Sequence, residues 1–400
     1  SRIEINLMMK TKLFILSVCL PILAFAQKVP TMQKKATGIE HHIDIYTAIQ
    51  NKQQALILSD FAEDIEFVPL VTTDECLLDE NIMNVVVTRQ DIIVYDLNAC
   101  YRFNRQGKFM NRIGTQGNGP GEYVKSLYIT VDTLNQWVYM GDYNQKKFVK
   151  YDYNGKHLAD LKTKGVGMNN FLYKPNYILM ENNFYLYEKK GKRFSMALYS
   201  EKDKKIISRM SCDYKGNIPA MSICSPIAFQ HKENTYLKDF WCDTIYRMTD
   251  AFHLQTYAYI DKGKFKHRTE DDKTLTGGKP TARDFLVLSV DNMAESDRYI
   301  YIATNKGRVF YDKKEKKTFA GGTLKKPFVS AKDDLYGSPG LMDISINGNE
   351  IYSYRFAHEL IESEKGKHSI NDSRYDTYLK MIEKLDEEDN PVIMIVKMKK

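Results

Sequence analysis

The sequence predicts an all-β fold, a six-bladed β-propeller, and three observations carry that reading. Short alternating strands recur at a fixed spacing, and the residues left after two insertions divide into six such units. A strand stands at each end of the repeat region, suited to fastening a ring.

The spacing comes first. "DIIVYDLNACYRFNRQGKF" and "QWVYMGDYNQKKFVKYDYNGKH" share an alternating apolar strand, a polar turn opened by Asp or Gly-Asp, a second strand and a tight turn. Gly107 ends one tight turn and Gly155 the other, 48 residues apart. Two more steps of 48 land on Asp203 and Ala251, again in turns that follow a Tyr- or Met-bearing strand. "RYIYIATNKGRVFYDKKEKKTF" supplies a fifth unit. "MDISINGNEIYSYRFA", with an Asn-Gly hairpin signal, supplies a sixth. Four short strands repeating every ~40–50 residues are the mark of propeller blades. Residues 60–400 without the insertions 262–282 and 359–390 come to 288, six units of 48, whereas seven units would need 336.

Closure follows from the chain ends. An open edge strand invites aggregation, so a ring has to be sealed. "IEFVPL" (Ile65–Leu70) precedes the first blade, and "VIMIVKM" (Val392–Met398) is a near-continuous apolar run that reads as a buried strand. The two are expected to share one sheet. Between the sixth unit and that last strand, "NDSRYDTYLKMIEKLDEEDNP" reads as one C-terminal surface helix packed against the ring. Tyr375, Leu379, Ile382 and Leu385 fall on one face, Asn371, Asp372 or Ser373 offers a cap, and Pro391 follows the end. The domain reading is therefore upstream residues and a signal peptide over 1–26, an N-terminal extension over 27–55, and the propeller over 56–400 with a helical insertion at about 359–390.

The N-terminus gives a cellular address. The chain opens on Ser1, so residues 1–7 read as upstream of a start at Met8 or Met9. Lys10 and Lys12, the apolar run Leu13–Leu23 and the small-residue site Ala24-Phe25-Ala26 then follow the grammar of a secretory signal peptide. That run is too short to span a bilayer, and no other segment reaches the ~18 apolar residues a membrane helix needs. Cleavage would leave Gln27 first; a lipid anchor at Cys19 is the minor alternative, with Val18 large for the position before it. The expected destination is outside the cytoplasm.

Charge and cysteines exclude some classes. The net charge of +7 falls to +5 once Arg2, Glu4, Lys10 and Lys12 are removed with the leader. The lysines sit in turns such as "EKKGKR" and "DKKEKK" without face-wide clustering, so no nucleic-acid partner is expected. Cys76, Cys100, Cys212, Cys224 and Cys242 remain, an odd count with no C-x-x-C pair, which argues against zinc. Cys212 and Cys224 are close enough in sequence to bridge across a turn.

One corner concentrates glycine: "IGTQGNGPGEY", Ile113–Tyr123. Glycines at 114, 117, 119 and 121 match neither a G-x-G-x-x-G nor a P-loop spacing, and a strand follows instead of a helix, so a phosphate cradle fails. Gly117, Gly119, Pro120 and Gly121 read as a structural corner carrying the chain from the rim of one blade to the axial strand of the next. Crossovers of this kind ring a mouth of the channel. Asn118 and Glu122 are the candidates to present a carbonyl and a carboxylate there, with Tyr123 as a stacking face.

Other chemistry is thin. No H-E-x-x-H or H-x-H spacing occurs, and "HELIE" at His358 reads as a polar helix start rather than a metal site. "YGSPG" around Ser338 lacks the form of a nucleophile elbow. Trp137 and Trp241 are the two tryptophans to test as platforms, and both lie in strand patterns that suit core packing.

"LSDFAEDIEFVPLVTTDECLL", "YRFNRQGKFMNRIGTQGNGPGEY", "CDTIYRM" and "EEDNPVIMIVKMK" together resemble the exported six-bladed β-propellers of Gram-negative anaerobes. That family is similar in shape to NHL-repeat and TolB-like propellers. The resemblance runs from about Leu58 to Lys399 and implies fold and secretion, to the periplasm or cell surface of a Gram-negative bacterium, more than function, since one fold hosts unrelated activities. The reading is a binding or interaction protein more than an enzyme, holding a glycan, a peptide or an envelope protein at the channel mouth, with no cofactor. The alternative is a calcium-dependent hydrolase or lyase of the six-bladed type, with an axial ion held by residues such as Asn98, Glu122, Asn144 or Asp343.

Overall fold

A computed structural model describes residues 29–53, 55–142, 144–163, 170–181, 193–214, 226–266, 288–322, 331–342, 344–365 and 372–400. The expected leader at 1–26 lies outside them. Six short elements precede the first blade: β1 (Gln33–Lys35), β2 (His41–Asp44), α1 (Ile45–Gln50), β3 (Leu56–Ile57), α2 (Leu58–Phe61) and β4 (Ala62–Pro69).

The blades follow as antiparallel meanders. Blade 1 is β5 (Asn84–Val87), β6 (Asp91–Tyr95), β7 (Cys100–Asn104) and β8 (Phe109–Ile113). Blade 2 is β9 (Ser126–Asp132), β10 (Trp137–Asp142), β11 (Lys147–Asp152) and β12 (His157–Lys162). Blade 3 is β13 (Asn170–Lys174), β14 (Tyr177–Glu181), β15 (Phe194–Ser200) and β16 (Lys205–Ser211). Blade 4 is β17 (Ile227–His231), β18 (Asn234–Lys238), β19 (Thr244–Met248) and β20 (His253–Asp261). Blade 5 is β21 (Val290–Glu295), β22 (Tyr299–Thr304), β23 (Gly307–Asp312) and β24 (Lys317–Gly321). After β25 (Ala331–Lys332), blade 6 takes β26 (Ser345–Asn347), β27 (Glu350–Arg355) and β28 (Val392–Met398), with β4 as its fourth strand. First strands of neighbouring blades touch, β5 with β9, β9 with β13, β17 with β21 and β21 with β26, which sets them around a common axis.

Why these strands stack radially is legible in their side chains. Residues of a strand alternate between its two faces, and a blade has a neighbour on each. In β6, Ile92 and Val94 pack with Val68, Ile393 and Ile395 of blade 6. Ile93 and Tyr95 pack the other way, with Val138, Met140 and Val149 of blade 2. A fully buried aliphatic side chain of this kind stabilises by about 1.5–3 kcal/mol relative to exposure.

In blades 1 to 4 the 48-residue step falls where a turn meets the blade before it. Gly107, in the turn between the third and fourth strands of blade 1, has φ +81°, and a Cβ there would lie 2.1 Å from the Pro69 carbonyl oxygen. Gly155, its equivalent in blade 2, faces the Arg112 carbonyl oxygen of blade 1 in the same way, at 2.7 Å. In blade 3, Glu201 beside Asp203 accepts from Tyr139 Oη at 2.6 Å and Lys150 Nζ at 3.0 Å, both in blade 2. In blade 4, the Ala251 carbonyl accepts from Ser208 Oγ of blade 3 at 2.6 Å.

The ring closes as expected. β28 pairs antiparallel with β4, from Val392 opposite Pro69 to Met398 opposite Ala62. A second fastening comes from the N-terminal extension. Met32 N donates to the Arg209 carbonyl of blade 3 at 2.7 Å, and β1 and β2 both add in parallel to the outer edge of β20. Helix α1 then packs on β23 and β24, Gln53 N donates to the Ala320 carbonyl at 3.0 Å, and β3 pairs in parallel with β25. The extension thereby covers the free edges of blades 4 and 5, where unpaired backbone would otherwise be open to other chains.

The helical insertion is a pair, α3 (Ala357–Glu364) and α4 (Ser373–Ile382), joining β27 to β28. Asp372 is the cap of α4, accepting from Arg374 N at 2.7 Å. Tyr375, Tyr378 and Ile382 bury against Leu360 and Val392, with Leu379 and Leu385 partly covered beside them. The expected hairpin at 347–348 sits one residue later: Asn347 pairs with Glu350, and Gly348-Asn349 forms the turn, with Gly348 at φ +61°.

Val396 is fully buried in the closing strand, whereas Lys397 beside it is mostly exposed. Val396→Asp should lower the unfolding free energy by about 4 kcal/mol, because an unpaired charge enters the core. Lys397→Ala should change it by less than about 1 kcal/mol, since only a surface pair with Glu63 is lost. Urea titration followed by circular dichroism measures both.

Candidate functional site

The glycine corner is a self-bonded loop. Gly117 N donates to the Tyr123 carbonyl at 2.9 Å, and Tyr123 N donates to the Thr115 carbonyl at 3.2 Å. The Glu122 carboxylate turns back inside it and accepts from Gly119 N at 2.7 Å. A Cβ on Gly117 would lie 2.1 Å from that carboxylate and one on Gly119 2.9 Å, so both positions need glycine to let it in. Tyr151 Oη donates to the Gly121 carbonyl at 2.7 Å, Tyr95 Oη donates to the Ser126 carbonyl at 2.7 Å, and the exposed Pro120 stands outside.

This geometry corrects two expectations. Tyr123 is 1% exposed and meets Tyr95 edge-on in the core between blades 1 and 2, because the apolar alternation of the next strand begins with it. It is not an open stacking face. Glu122 is held by its own loop rather than aimed at the axis. Of the three proposed binding residues, Asn118 is the exposed one.

A shared device seats the crossovers. Asp142, closing the second strand of blade 2, accepts from Val124 N at 2.6 Å with one oxygen and from Gln145 N at 2.9 Å with the other. Asp96 does the same in blade 1, accepting from Asp79 N at 2.8 Å and from Asn98 N and Ala99 N at 3.0 and 2.9 Å. In blade 6 the place is taken by Arg355, whose Nε donates to the Gly340 carbonyl at 3.1 Å. These contacts put the turns between second and third strands on the same rim of the ring as the crossovers.

That rim carries an aromatic cluster in blade 4 around Trp241, which lies in the turn between β18 and β19 and not in a strand as its pattern suggests. In "KDFWCD", the indole of Trp241 stacks on Tyr214 with centroids 4.4 Å apart and planes at 16°, and Phe240 meets it edge-on at 5.0 Å. All three rings are partly exposed. Lys238 braces the turn from beneath: 1% exposed, its Nζ donates to the Asp239 carbonyl at 2.9 Å and the Phe240 carbonyl at 3.4 Å. Burial, and then Lys262 nearby, pull its ammonium down to about 7. Burial likewise raises the Asp239 carboxyl, while Lys262 and Lys238 hold the buried Asp243 below the usual range against its own desolvation. Titratable groups displaced in this way mark candidate sites when they lie under an exposed surface. Trp137, the other tryptophan, is a half-buried partner of Lys150, whose Nζ lies 3.3 Å from its ring centre.

Two of the four proposed calcium ligands are engaged with neighbouring groups. Asn98 donates to Asp79 Oδ2 at 3.4 Å, Glu122 is engaged as above, and Asp343 lies outside the described residues. Among the described residues no group of three or more His, Cys, Asp or Glu could hold a metal ion. His358 lies in α3 with its ring stacked on Phe356. Cys76, Cys100, Cys212 and Cys242 are free thiols, and Cys224 lies outside the described residues.

Two predictions follow from these contacts. Glu122→Ala should cost about 1 kcal/mol by orphaning Gly119 N, and Asn118→Ala should cost nothing measurable; thermal melts separate them. Lys238 has a folded pKa below its unfolded value of 10.5, so its charge costs stability below pH 7 and that cost is relieved between pH 7 and 10.5. The stability of the natural chain relative to Lys238→Met should therefore rise across that window, and a flat difference in denaturant titrations would refute the assignment.

A solved structure from Bacteroides fragilis, whose name calls it an exported protein, is 18% identical with a TM-score of 0.65, covering 92% of this chain and 100% of that one. A DUF4221-family structure from Bacteroides vulgatus is a looser match, 10% identical with a TM-score of 0.46 over 84% of this chain and 97% of that one. The virginiamycin B lyase of Staphylococcus aureus is 10% identical with a TM-score of 0.37, over 83% and 99%. The first of these shows a shared fold and nothing finer. No curated protein matches in sequence. A family model does, over residues 40–397, nearly all of the ring, and the chain belongs to that family, the domain of unknown function DUF4934.

Proposed function

We propose that the protein is an exported binding protein that holds its ligand on the rim formed by the crossovers and the turns between second and third strands. The observation that carries this is the Tyr214–Trp241 stack, partly exposed on that rim and braced by a buried lysine. Aromatic faces of this kind suit the apolar faces of sugars and the side chains of peptides, so a glycan, a peptide or another envelope protein is the ligand class. The carboxylates around the glycine corner favour binding over catalysis. Asp96, Asp142 and Glu122 are each committed to backbone N–H groups of their own loops. The basic leader, the apolar run and the A-x-A site support export, and no helix among the described residues is long and apolar enough to cross a membrane.

The chain has two tryptophans, so Trp137→Phe leaves Trp241 as the single indole reporter. Titrating that variant with oligosaccharide and peptide panels should give a saturable change in emission, abolished by Tyr214→Ala. A rim silent to every member of the panels, together with calcium-dependent turnover of ester or lactone substrates, would replace this reading with the hydrolase one.

A further inference from the structure

At the seams between blades 6 and 1, 1 and 2, and 3 and 4, a turn of one blade docks on the outer strand of the blade before it. The first of these seams carries a further element. Here helix α4 adds a wall, because the insertion in blade 6 returns beside the closing strand. A groove of about 780 Å³ results, bounded by the end of β4, the Gln106–Lys108 turn of blade 1, and α4 with the turn that follows it. This lies within the ~300–1,000 Å³ typical of ligand sites.

Leu70, Val71, Met381 and Leu385 supply its apolar surface, and Val71 is 42% exposed, unusual for a residue so close to the clasp. Lys108, Lys380 and Lys384 stand along the groove, all exposed, and none forms an ion pair among the described residues. Asp389 is the one acid in the lining, and its Oδ2 already accepts from Asp386 N at 2.8 Å. Lys380 lies in the last turn of α4 and Lys384 in the turn that follows it, with Lys108 across the groove on another element. Charges spaced along an apolar trough suit several separate carboxylates flanking an apolar residue. They suit a single compact anion less well, since that calls for donors converging on one point.

We propose that this groove docks an acidic peptide segment of a partner protein, with an apolar side chain seated on Val71, Met381 and Leu385 and carboxylates on the three lysines. The site is separate from the aromatic rim.

The test uses the full chain and immobilised dodecapeptides in three sets: Asp/Glu flanking one Leu, Phe or Tyr; Asp/Glu flanking Ser; and Lys flanking Leu, Phe or Tyr. Members of the first set should bind, with the second set weaker by about tenfold or more and the third not bound. Lys380→Glu/Lys384→Glu, an exposed double change with an unaltered melting temperature expected, should weaken the first set by at least about tenfold. Lys108→Glu alone, on a different element, should weaken it too. The Trp137→Phe reporter should stay silent, so failure here and failure of the rim reading are distinguishable. The proposal is overturned if the first set does not bind, if Ser-centred peptides bind equally well, or if the lysine variants bind unchanged. It is equally overturned if only phosphatidylglycerol vesicles compete for the groove, which would make it a membrane-facing surface.

Discussion

Everything else in this molecule depends on the pairing of β28 with β4. Radial sheets meet through side chains, so a ring of them is only as secure as the seam where the last meets the first. In blade 6 the ring is closed within one sheet, by hydrogen bonds between strands from opposite ends of the chain. Three strands come from the C-terminal end of the chain and the fourth from before blade 1. The closing strand also serves two interfaces at once. Ile393 and Ile395 join the core shared with blade 1, and Met394, Val396 and Met398 join the core shared with blade 5. Closing a loop of more than three hundred residues has an entropic cost that grows only slowly with length. A strand buried on both faces and hydrogen-bonded on both edges readily offsets it.

The N-terminal extension fits the same logic. It lies along blades 3 to 5 on its way to the clasp, adding parallel strands to β20 and a short pairing at β25. The extension thereby links several blades and covers two sheet edges. Both proposed surfaces are built on this frame. The aromatic cluster rides on a turn whose carbonyls are held by Lys238, and the lysine groove has the clasp itself as a wall.

Much of the fold was legible in residue order because its causes are local or periodic. The 48-residue step is visible because it falls at turns that meet the preceding blade, and at Gly107 and Gly155 a carbonyl of that neighbour leaves no room for a side chain. The end strands were legible from their apolar runs, and α4 from its face and its cap. The extension was not. "TMQKKATGIEHHID" has no strand alternation, and its pairing is dictated by an open edge more than two hundred residues away. At the site, composition located the glycine corner but not where its side chains go. Glu122 and Tyr123 look available in a glycine-rich loop. One is drawn inward by a free N–H, and the other by the blade 1–blade 2 core. The aromatic stack joins Tyr214 to Trp241, and the groove joins three distant segments, so neither spells a motif.

The most direct measurement is amide hydrogen exchange by mass spectrometry on the peptides covering 62–69 and 392–398. If the ring hangs on this pairing, both peptides should exchange together, as slowly as any in the protein, and only through global unfolding. Early exchange of either one while the inner strands stay protected would contradict the account.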